Sequence, residues 1–242
     1  MADTTTTPLF PILYEDDGLL VVNKPADLVC HPTKDGPLSS LIARVRTYLG
    51  TDEGRLVNRL DRETSGVILI AKGAEAAAEL GSVIANMAQK RYWAIVEGRL
   101  PDDPLRITGA LGKDDSSAVA IKNCVREDGS PAETAVRVLH RFVREGAPFS
   151  LVEVTPLTGR KHQIRIHLAH AGFPIVGDKL YGGDEQRYLR LVERRLTDED
   201  RRTLRLTSHA LHARRLSFEW KGQAWQFQAE PDEAFLGFVR GR

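Results

Sequence analysis

The spacing of apolar and polar residues predicts both strands and helices in the first hundred residues. Residues 19–25 (LLVVNKP) form a β-branched run closed by a proline, and residues 66–72 (GVILIAK) form a continuous apolar run, so both are expected to be strands. Residues 38–50 place leucine and valine four apart and stop at a glycine, which predicts a short amphipathic helix. Residues 74–90 are rich in alanine with apolar residues at helical spacing, which predicts a second helix followed directly by a strand over 91–98.

The middle of the chain alternates short β patterns with turn residues. No helical pattern separates these segments, which favours antiparallel meanders over βαβ units. The segments expected to be extended are RITGALG (106–112), AVAIK (118–122), ETAVRVLHRF (133–142) and FSLVEVTPL (149–157).

The last third of the chain returns to helices and closes on strands. Residues 162–172 have helical spacing, and Thr197 with Asp200 predicts a capping box that opens a charged helix ending near Leu206. The closing elements are two strands, HARRLSFEW (212–220) and WQFQAE (225–230), and a helix, DEAFLGFVRGR (232–242).

Composition agrees with a folded globular protein. The 242 residues are 42% hydrophobic and 28% charged, which excludes wholesale disorder. Together with the element pattern this predicts an α+β fold, with a mixed, mainly antiparallel central sheet flanked by helices. We expect a single domain over residues 12–242, preceded by a disordered, Thr-rich lead-in over residues 1–11.

Cysteine usage and hydropathy predict a cytoplasmic protein. Cys30 and Cys124 lie far apart without a CxxC motif, which excludes a disulfide framework and a cysteine-rich zinc site and favours a reducing compartment. The longest apolar runs fall well short of the ~20 residues that span a bilayer. The first eleven residues show neither the basic nor the apolar region of a signal peptide, so we expect no contact with a membrane.

Charge is unevenly distributed although the formal net charge is only +1. Residues 160–242 carry 16 Lys and Arg against 11 Asp and Glu, whereas residues 1–159 carry 18 against 22. A polyanionic partner would therefore meet a local basic surface.

The segment NRLDRETSG (58–66) places one carboxylate, Asp61, between Arg59 and Arg62 at the start of a predicted strand. Nearby arginines favour the ionised carboxylate, which suits a nucleophile or a base. A solvated turn with a surface ion pair explains the same spacing equally well.

The segment TGRKHQIRIHLAH (158–170) crowds basic and polar side chains into the first turns of a predicted helix. Cations at a helix N-terminus need a negative partner, because the helix dipole is already positive there. Either a phosphate backbone or an internal carboxylate would supply one, and the alternative is an exposed basic turn. The residues concerned are Arg160, Lys161, His162, Gln163 and Arg165.

Histidines and one tyrosine complete the candidate chemistry. The HExxH pattern is missing and no carboxylate lies within 158–170, so structural or RNA-contacting roles are favoured over metal binding for His162, His167, His170, His209 and His212. Tyr92 follows Lys90 and Arg91 at a strand start, where it could stack on a base or simply pack. No Walker A, GxGxxG or GxSxG motif occurs.

These residues resemble a known family. NRLDRETSGVILIAK resembles the signature of RluA-type RNA pseudouridine synthases, and LTGRKHQIRIHLAHAGFPIVGDKLYG resembles that family's later block. LVVNKPADLVCHP, KRYWAIVEG and ALHARRLSF fit the same pattern in the expected order, so the resemblance covers roughly residues 12–235.

The resemblance implies a fold with a central RNA-binding cleft, and it assigns roles to individual residues. Asp61 corresponds to the catalytic aspartate, Tyr92 to a tyrosine that packs against the target base, and Arg165 to an arginine that pairs with the aspartate. Arg59 corresponds to a residue that can fill the space left by the flipped nucleotide. The expected RNA contacts are Arg59, Arg62, Lys90, Arg160, Lys161, His162 and Gln163.

The chain departs from the family pattern at two points. Asn58 stands where relatives usually carry histidine, and asparagine cannot titrate near neutral pH. The match begins within about a dozen residues of Met1, so a separate N-terminal RNA-binding domain is not expected.

The implied reaction converts uridine into pseudouridine in tRNA or rRNA. It is an isomerisation that consumes no co-reactant, so we expect no cofactor and no metal. We also expect the enzyme to be a monomer. The target base has to leave the stack, because its reacting atoms are inaccessible in a helix. Two routes stay open: Asp61 attacks the sugar, or it removes a ribose proton.

Two other functions stay open beside this one. The first is a non-catalytic RNA-binding protein or chaperone of the same fold, and the second is a metal-dependent hydrolase that uses the histidines. The RNA, the uridine position and the number of sites are open as well. The charged segment 185–206 is expected to be a solvated helical insertion.

Overall fold

A computed structural model of the chain describes residues 10–32 and 38–241. The chain divides into two compact units, each built from two stretches of sequence. Within the described residues, the first unit takes residues 10–32, 38–89 and 213–230, and the second takes residues 90–212 and 231–241. The single domain expected over residues 12–242 and the central cleft stay predictions.

The helices and strands follow the predicted pattern closely. In the first hundred residues they are β1 (Ile12–Glu15), β2 (Leu19–Lys24), α1 (Leu41–Leu49), β3 (Gly54–Leu56), β4 (Ser65–Lys72), α2 (Ala74–Asn86) and β5 (Gln89–Glu97). The remaining strands are β6 (Leu105–Thr108), β7 (Leu111–Lys113), β8 (Asn123–Val125), β9 (Glu133–Arg144), β10 (Ala147–Pro156), β11 (Leu211–Trp220) and β12 (Gln223–Gln228). The remaining helices are α3 (Gln163–His170), α4 (Gln186–Val192), α5 (Asp198–Leu204) and α6 (Glu233–Arg240).

The first unit is a sheet covered by one helix on each face. Its strand order is β1-β2-β4-β11-β12, with β3 also paired to β4, and the β1–β2, β2–β4, β3–β4 and β11–β12 pairings are antiparallel. Val67 and Leu69 on β4 pack with α2, whereas Ile68 and Ile70 pack with α1. Burial on both faces explains why β4 reads as a continuous apolar run without alternation.

Within the second unit, the strands lie in the order β5-β10-β9-β6, and β7 pairs with β8 in a separate two-stranded sheet. The β5–β10, β9–β10, β6–β9 and β7–β8 pairings are antiparallel. Ile164 and Leu168 on α3 and Phe235 and Phe238 on α6 pack into one core cluster with β5 and β10. The predicted apolar stripe of α3 is therefore confirmed.

The hairpin between β7 and β8 corrects one sequence expectation. Residues 118–122 form turns instead of the predicted strand. Glu185 accepts hydrogen bonds from the Lys122 ammonium at 2.6 Å, the Ser117 hydroxyl at 2.8 Å and the Ala118 N–H at 3.2 Å. These contacts to one carboxylate favour a turn over a ladder of backbone hydrogen bonds.

Two other sequence expectations concern the charged segment 185–206 and the N-terminal residues. The capping box of Thr197 and Asp200 is confirmed at the start of α5, and the charged segment 185–206 forms two short helices as predicted. The predicted lead-in over residues 1–11 lies outside the described residues except for Phe10 and Pro11, and Phe10 is buried against the first unit.

Gly66 marks a close approach between β4 and β11. Its φ is +116°, and a Cβ added there would lie 2.4 Å from the carbonyl oxygen of Ala213. Only glycine lets the two backbones meet at this distance, because any other residue would press its Cβ into the neighbouring strand.

We expect Gly66→Ala to lower the free energy of unfolding by more than about 3 kcal/mol, because backbone strain and overpacking each contribute ~1–3 kcal/mol. Gly81→Ala is the matched control, since Gly81 lies inside α2 with no atom within 4 Å of an added Cβ. That variant should be neutral or more stable by up to ~1 kcal/mol. Urea denaturation of both variants measures the difference, and equal stabilities would contradict the proposed clash.

Candidate active site

The segment between β3 and β4, residues 57–64, carries Asp61 and is called the Asp61 loop below. The Asn58 side chain fastens this loop to β4: its Oδ1 accepts from the Leu69 N–H at 2.8 Å, and its Nδ2 donates to the Val67 carbonyl at 3.3 Å. The Thr64 N–H donates to the Asp61 carbonyl at 3.1 Å and closes the turn. Asn58, the departure from the family pattern, therefore has a structural role that needs no titratable group.

Lys24, the last residue of β2, supports the Asp61 loop from inside the protein. Lys24 is 0% exposed, and it lies opposite Gly66 in the pairing of β2 with β4. The three ammonium protons match three backbone carbonyls: Pro25 at 2.8 Å, Leu28 at 2.8 Å and Arg62 at 3.0 Å. Since Arg62 follows Asp61 directly, Lys24 fixes the backbone of the loop next to the candidate catalytic residue.

Burial lowers the pKa of Lys24 to about 8, and electrostatic interactions with Cys30, Asp61 and Asp27 act in the opposite direction. The interaction with Asp61 is mutual, so the Lys24 ammonium favours the ionised carboxylate. From the sequence, this effect is expected of Arg59 and Arg62.

The two arginines next to Asp61 point outward. Arg62 Nε binds Asp27 Oδ1 at 2.7 Å, with the two side chains 58% and 67% exposed. An ion pair this exposed contributes little, because water screens it. Arg59 is exposed as well. Within the first unit, Lys24 is therefore a buried cation that acts on Asp61, and the roles of Arg59 and Arg62 stay predictions.

In the second unit, Arg165 lies on α3 and is 7% exposed. Its Nε and Nη2 donate to Asp178 Oδ2 and Oδ1 at 2.7 and 2.9 Å, a bidentate pair in which Asp178 is 1% exposed. Burial of Asp178 opposes its ionisation, but the charge and hydrogen bonds of Arg165 outweigh it and hold the pKa of the carboxyl well below its usual range. Of the two partners that the sequence left open for the basic turn, an internal carboxylate is present for Arg165.

Tyr181 covers one face of the Arg165 guanidinium, with the guanidinium carbon 5.0 Å from the ring centre. The Tyr181 hydroxyl lies 2.9 Å from His162 Nδ1 and accepts from the Asn123 N–H at 3.3 Å. His162 caps α3 with a left-handed backbone, φ +56°. His162 is thus tied to the residues around Arg165.

Gln163, predicted as an RNA contact, is instead buried with its amide fully engaged. Its Nε2 donates to the Glu133 carbonyl at 2.8 Å and to Thr134 Oγ1 at 3.0 Å. Its Oε1 accepts from Thr158 Oγ1 at 2.7 Å and from the Arg160 N–H at 3.0 Å. An amide group has two donors and two acceptor sites, so none is left for RNA. Gln163 joins the start of α3 to β9.

His167 continues this internal network. Its Nδ1 lies 2.9 Å from Thr134 Oγ1 and its Nε2 lies 3.0 Å from the Gly109 carbonyl. Burial lowers the pKa of His167 and favours the neutral ring. His209 and His212 are buried too. Over residues 10–32 and 38–241, no three His, Cys, Asp or Glu side chains are grouped as a metal site.

The other predicted RNA contacts of the second unit lie nearer the surface. Arg160 and Lys161 are exposed, and Arg160 Nε donates to the Pro131 carbonyl at 3.2 Å. Tyr92 on β5 is half-buried opposite Val154. Lys90 shares its face of the strand with Tyr92, two residues away, and burial lowers the pKa of Lys90.

The predicted catalytic residues are thus divided between the units: Asp61 lies in the first, and Tyr92 and Arg165 lie in the second. The pairing of Asp61 with Arg165 stays a prediction. Sequence reasoning missed Lys24 and Asp178, although both lie inside the quoted motifs NKP and GDKLYG. A charged residue at the end of an apolar run is the signal that marks each of them.

The sequence model of the RNA pseudouridylate synthase family matches residues 18–170. The chain belongs to this family. The resemblance to RluA-type synthases is thereby confirmed, and the matched segment contains Lys24, Asp61, Tyr92 and Arg165. Among the described residues, no helix is both long and apolar enough to cross a bilayer.

Relatives in the family are similar over most of this chain. An uncharacterised RNA pseudouridine synthase of Bacillus subtilis is 41% identical over 177 residues, 71% of this chain and 57% of the relative. Ribosomal large subunit pseudouridine synthase D of Neisseria meningitidis is 34% identical over 232 residues, 93% of this chain and 59% of the relative. The corresponding synthase C of Haemophilus influenzae is 34% identical over 235 residues, 95% of this chain and 67% of the relative. The chain thus spans about three fifths of the length of these relatives.

Two solved family structures confirm the α+β fold class. Human RNA pseudouridylate synthase domain containing 1 has a TM-score of 0.73 at 26% identity, and the match covers 93% of this chain and 84% of that one. Human RNA pseudouridylate synthase domain containing 4 has a TM-score of 0.70 at 25% identity, covering 95% and 92%.

The lowered pKa of Lys24 predicts how stability depends on pH in this family member. Between pH 8 and 10.5 the unfolded chain holds the Lys24 proton and the folded chain has lost it, so the contribution of Lys24 to the free energy of unfolding rises with pH. The difference between wild type and Lys24→Met should grow across this window by at most about 1.4 kcal/mol per pH unit. Urea titrations at intervals from pH 7 to 10.5 measure it.

At pH 7, Lys24→Met should lose about 2–4 kcal/mol, because buried carbonyls lose their donors. Lys72→Met is the control, since Lys72 also ends a strand but pairs with Glu15 at a partly exposed site; it should lose under about 1 kcal/mol. A wild-type-to-Lys24→Met difference that falls between pH 8 and 10.5 would contradict the assignment.

Proposed function

We propose that this chain isomerises uridine to pseudouridine in RNA. The observation that best supports this proposal is that the family match over residues 18–170 includes the Asp61 loop, which is fixed in the structure, together with Tyr92 and Arg165. Asp61 is the reactive carboxylate, and the loop around it is fastened by Asn58 and Lys24 before any substrate binds. Such preorganisation supports catalysis, because the reactive group needs little rearrangement.

The proposed roles come from the family resemblance, and the chemistry of uridine isomerisation agrees with them. The bond between C1′ of the ribose and N1 of the base breaks, the base turns, and a bond from C1′ to C5 forms. The proton on C5 is released and N1 gains one, so atoms and electrons balance without a co-reactant. Asp61 acts on the ribose, either by attack at C1′ or by removing a ribose proton. Tyr92 packs against the detached base, and Arg165 pairs with Asp61.

For the substrate we propose ribosomal large-subunit RNA, since relatives from Neisseria meningitidis and Haemophilus influenzae carry that substrate in their names. The target uridine is flipped out of its stack. Arg160 and Lys161, exposed at the start of α3, contact phosphates and offset part of that cost. Arg59, exposed on the Asp61 loop, occupies the space that the uridine leaves.

Asp61→Asn tests the catalytic assignment. The amide keeps the shape of the carboxyl but cannot act as a nucleophile or base, so pseudouridine formation should fall by at least about 10³-fold. Asp52→Asn is the matched control, because Asp52 is an exposed aspartate of the same unit; its activity should stay within about twofold. Carbodiimide-dependent primer-extension stops on a large-subunit RNA transcript measure the product.

The outcomes of this experiment separate catalysis from binding. Wild-type protein that binds RNA but forms no pseudouridine would support a non-catalytic binder of the same fold. Undiminished product with Asp61→Asn would remove Asp61 from the mechanism while leaving the activity intact.

Salt dependence tests the phosphate contacts. The plot of log K against log [salt] should slope by about −0.7 for each single-stranded phosphate that is neutralised. Replacing Arg160 and Lys161 together by glutamine should therefore reduce the slope by about 1.4. Arg201→Gln with Arg202→Gln, two exposed arginines of α5, is the control and should leave the slope unchanged. An unchanged slope in the Arg160 and Lys161 variant would exclude the basic turn from the RNA interface.

A further inference from the structure

We propose that Asp178 is a positioning residue for Arg165: its carboxylate fixes the place of the guanidinium and the edge that this group presents to the reaction. The inference rests on the proposed function and extends it to a residue that does not itself touch the uridine. Four observations within the second unit support it.

The first observation is which nitrogen atoms of Arg165 donate hydrogen bonds to Asp178. Its two oxygens take the edge formed by Nε and Nη2 of Arg165, at 2.7 and 2.9 Å. A guanidinium has five N–H donors in one plane, so this leaves the edge that carries Nη1 turned away from Asp178. The position of Asp178 therefore determines the direction in which Arg165 can bind a second carboxylate.

The second observation is that the backbone holds Asp178 in place. Its Oδ1 also accepts from the N–H groups of Leu180 at 2.9 Å and Tyr181 at 3.0 Å. Two glycines make this tight loop feasible. A Cβ on Gly182 would lie 2.3 Å from the Asp178 carbonyl, and a Cβ on Gly177, with φ +81°, would lie 2.8 Å from the Ser208 carbonyl. The backbone of the loop thus fixes the position of the carboxylate.

The third observation is the contact on the face of the guanidinium. Tyr181, three residues after Asp178, places its ring 5.0 Å from the guanidinium carbon, and its hydroxyl is engaged by His162 and Asn123. Asp178 restrains Arg165 within its plane and Tyr181 restrains it perpendicular to that plane. The same short loop supplies both restraints.

The fourth observation is electrostatic. A guanidinium that is 7% exposed loses most of its hydration, and without a carboxylate it would be drawn towards solvent. Arg165 and, to a smaller extent, His209 favour the ionised form of Asp178, so the compensating charge is present at neutral pH. Arg165 can therefore stay buried and oriented before substrate arrives.

Asp178→Asn tests the proposal through steady-state kinetics. We expect kcat for pseudouridine formation to fall at least about 30-fold, because a displacement near 1 Å can reduce a rate about 100-fold. The KM for RNA should stay within about threefold, since Asp178 contacts no phosphate. Asp200→Asn is the matched control, because Asp200 on α5 also forms a bidentate pair with an arginine, the part-buried Arg190, at 2.8 and 2.6 Å. That variant should lose stability but keep its kcat within about twofold.

A double variant shows whether Asp178 acts through Arg165. In the Arg165→Met background, adding Asp178→Asn should change kcat by less than about twofold, because the group that Asp178 positions is already gone. Full additivity of the two effects on kcat, or a wild-type kcat in the folded Asp178→Asn protein, would overturn the proposal.

A measurement on the wild-type protein covers the case in which Asp178→Asn does not fold. The Nε proton of Arg165, assigned by its absence from the NMR spectrum of Arg165→Lys, should exchange at least about 100-fold more slowly than that of the exposed Arg202. Exchange at the rate of Arg202 would overturn the proposal. Wild-type protein that forms no pseudouridine, with Arg165 still protected, would instead refute the proposed function alone.

Discussion

A positive charge inside a protein has to be met by oxygen acceptors, and the candidate site depends on this constraint in each unit. Lys24 meets it with three neutral carbonyls, whereas Arg165 meets it with the carboxylate of Asp178. The two solutions have different electrical consequences. Carbonyl dipoles leave the full charge of Lys24 uncompensated, so it is available to Asp61. Asp178 neutralises most of the charge of Arg165, so in the proposed reaction Arg165 contributes direction more than charge.

This division of roles explains why the basic residues of the two motifs are not interchangeable. A lysine presents a compact charge with three rotatable donors, which suits three carbonyls converging from residues 25, 28 and 62. An arginine presents a planar group with two usable edges, one for Asp178 and one for a further partner. The exposed arginines beside Asp61 satisfy neither requirement, because water screens their charge and the partner of Arg62 is the equally exposed Asp27.

The fold could be predicted from the sequence largely because its strands and helices follow simple patterns. The continuous apolar run of β4 indicates a strand that is buried on both faces. The spacing of Ile164 and Leu168 indicates the face of α3 that packs into the core. The capping box at Thr197 is a local signal read over four residues. The turn at 118–122 was mistaken for a strand because its cause, Glu185, lies 63 residues from Lys122.

The site residues that sequence reasoning missed or assigned to RNA depend on such distant partners as well. Lys24 and Arg62 are 38 residues apart, and Gln163 and Glu133 are 30 apart, so neither contact has a local pattern. Arg165 and Asp178 are only 13 residues apart, but the loop that brings them together depends on two glycines whose close contacts are visible only in three dimensions.

Asn58 shows how one substitution fits this arrangement. Its amide supplies one acceptor to Leu69 and one donor to Val67, and a neutral amide offers both at every pH. A histidine could do so only in its neutral form, since the protonated ring has no acceptor. With asparagine, the attachment of the Asp61 loop to β4 is independent of pH near neutrality. The Lys24 contact to the loop then depends on pH instead, because Lys24 has a pKa of about 8 and loses its charge just above neutrality.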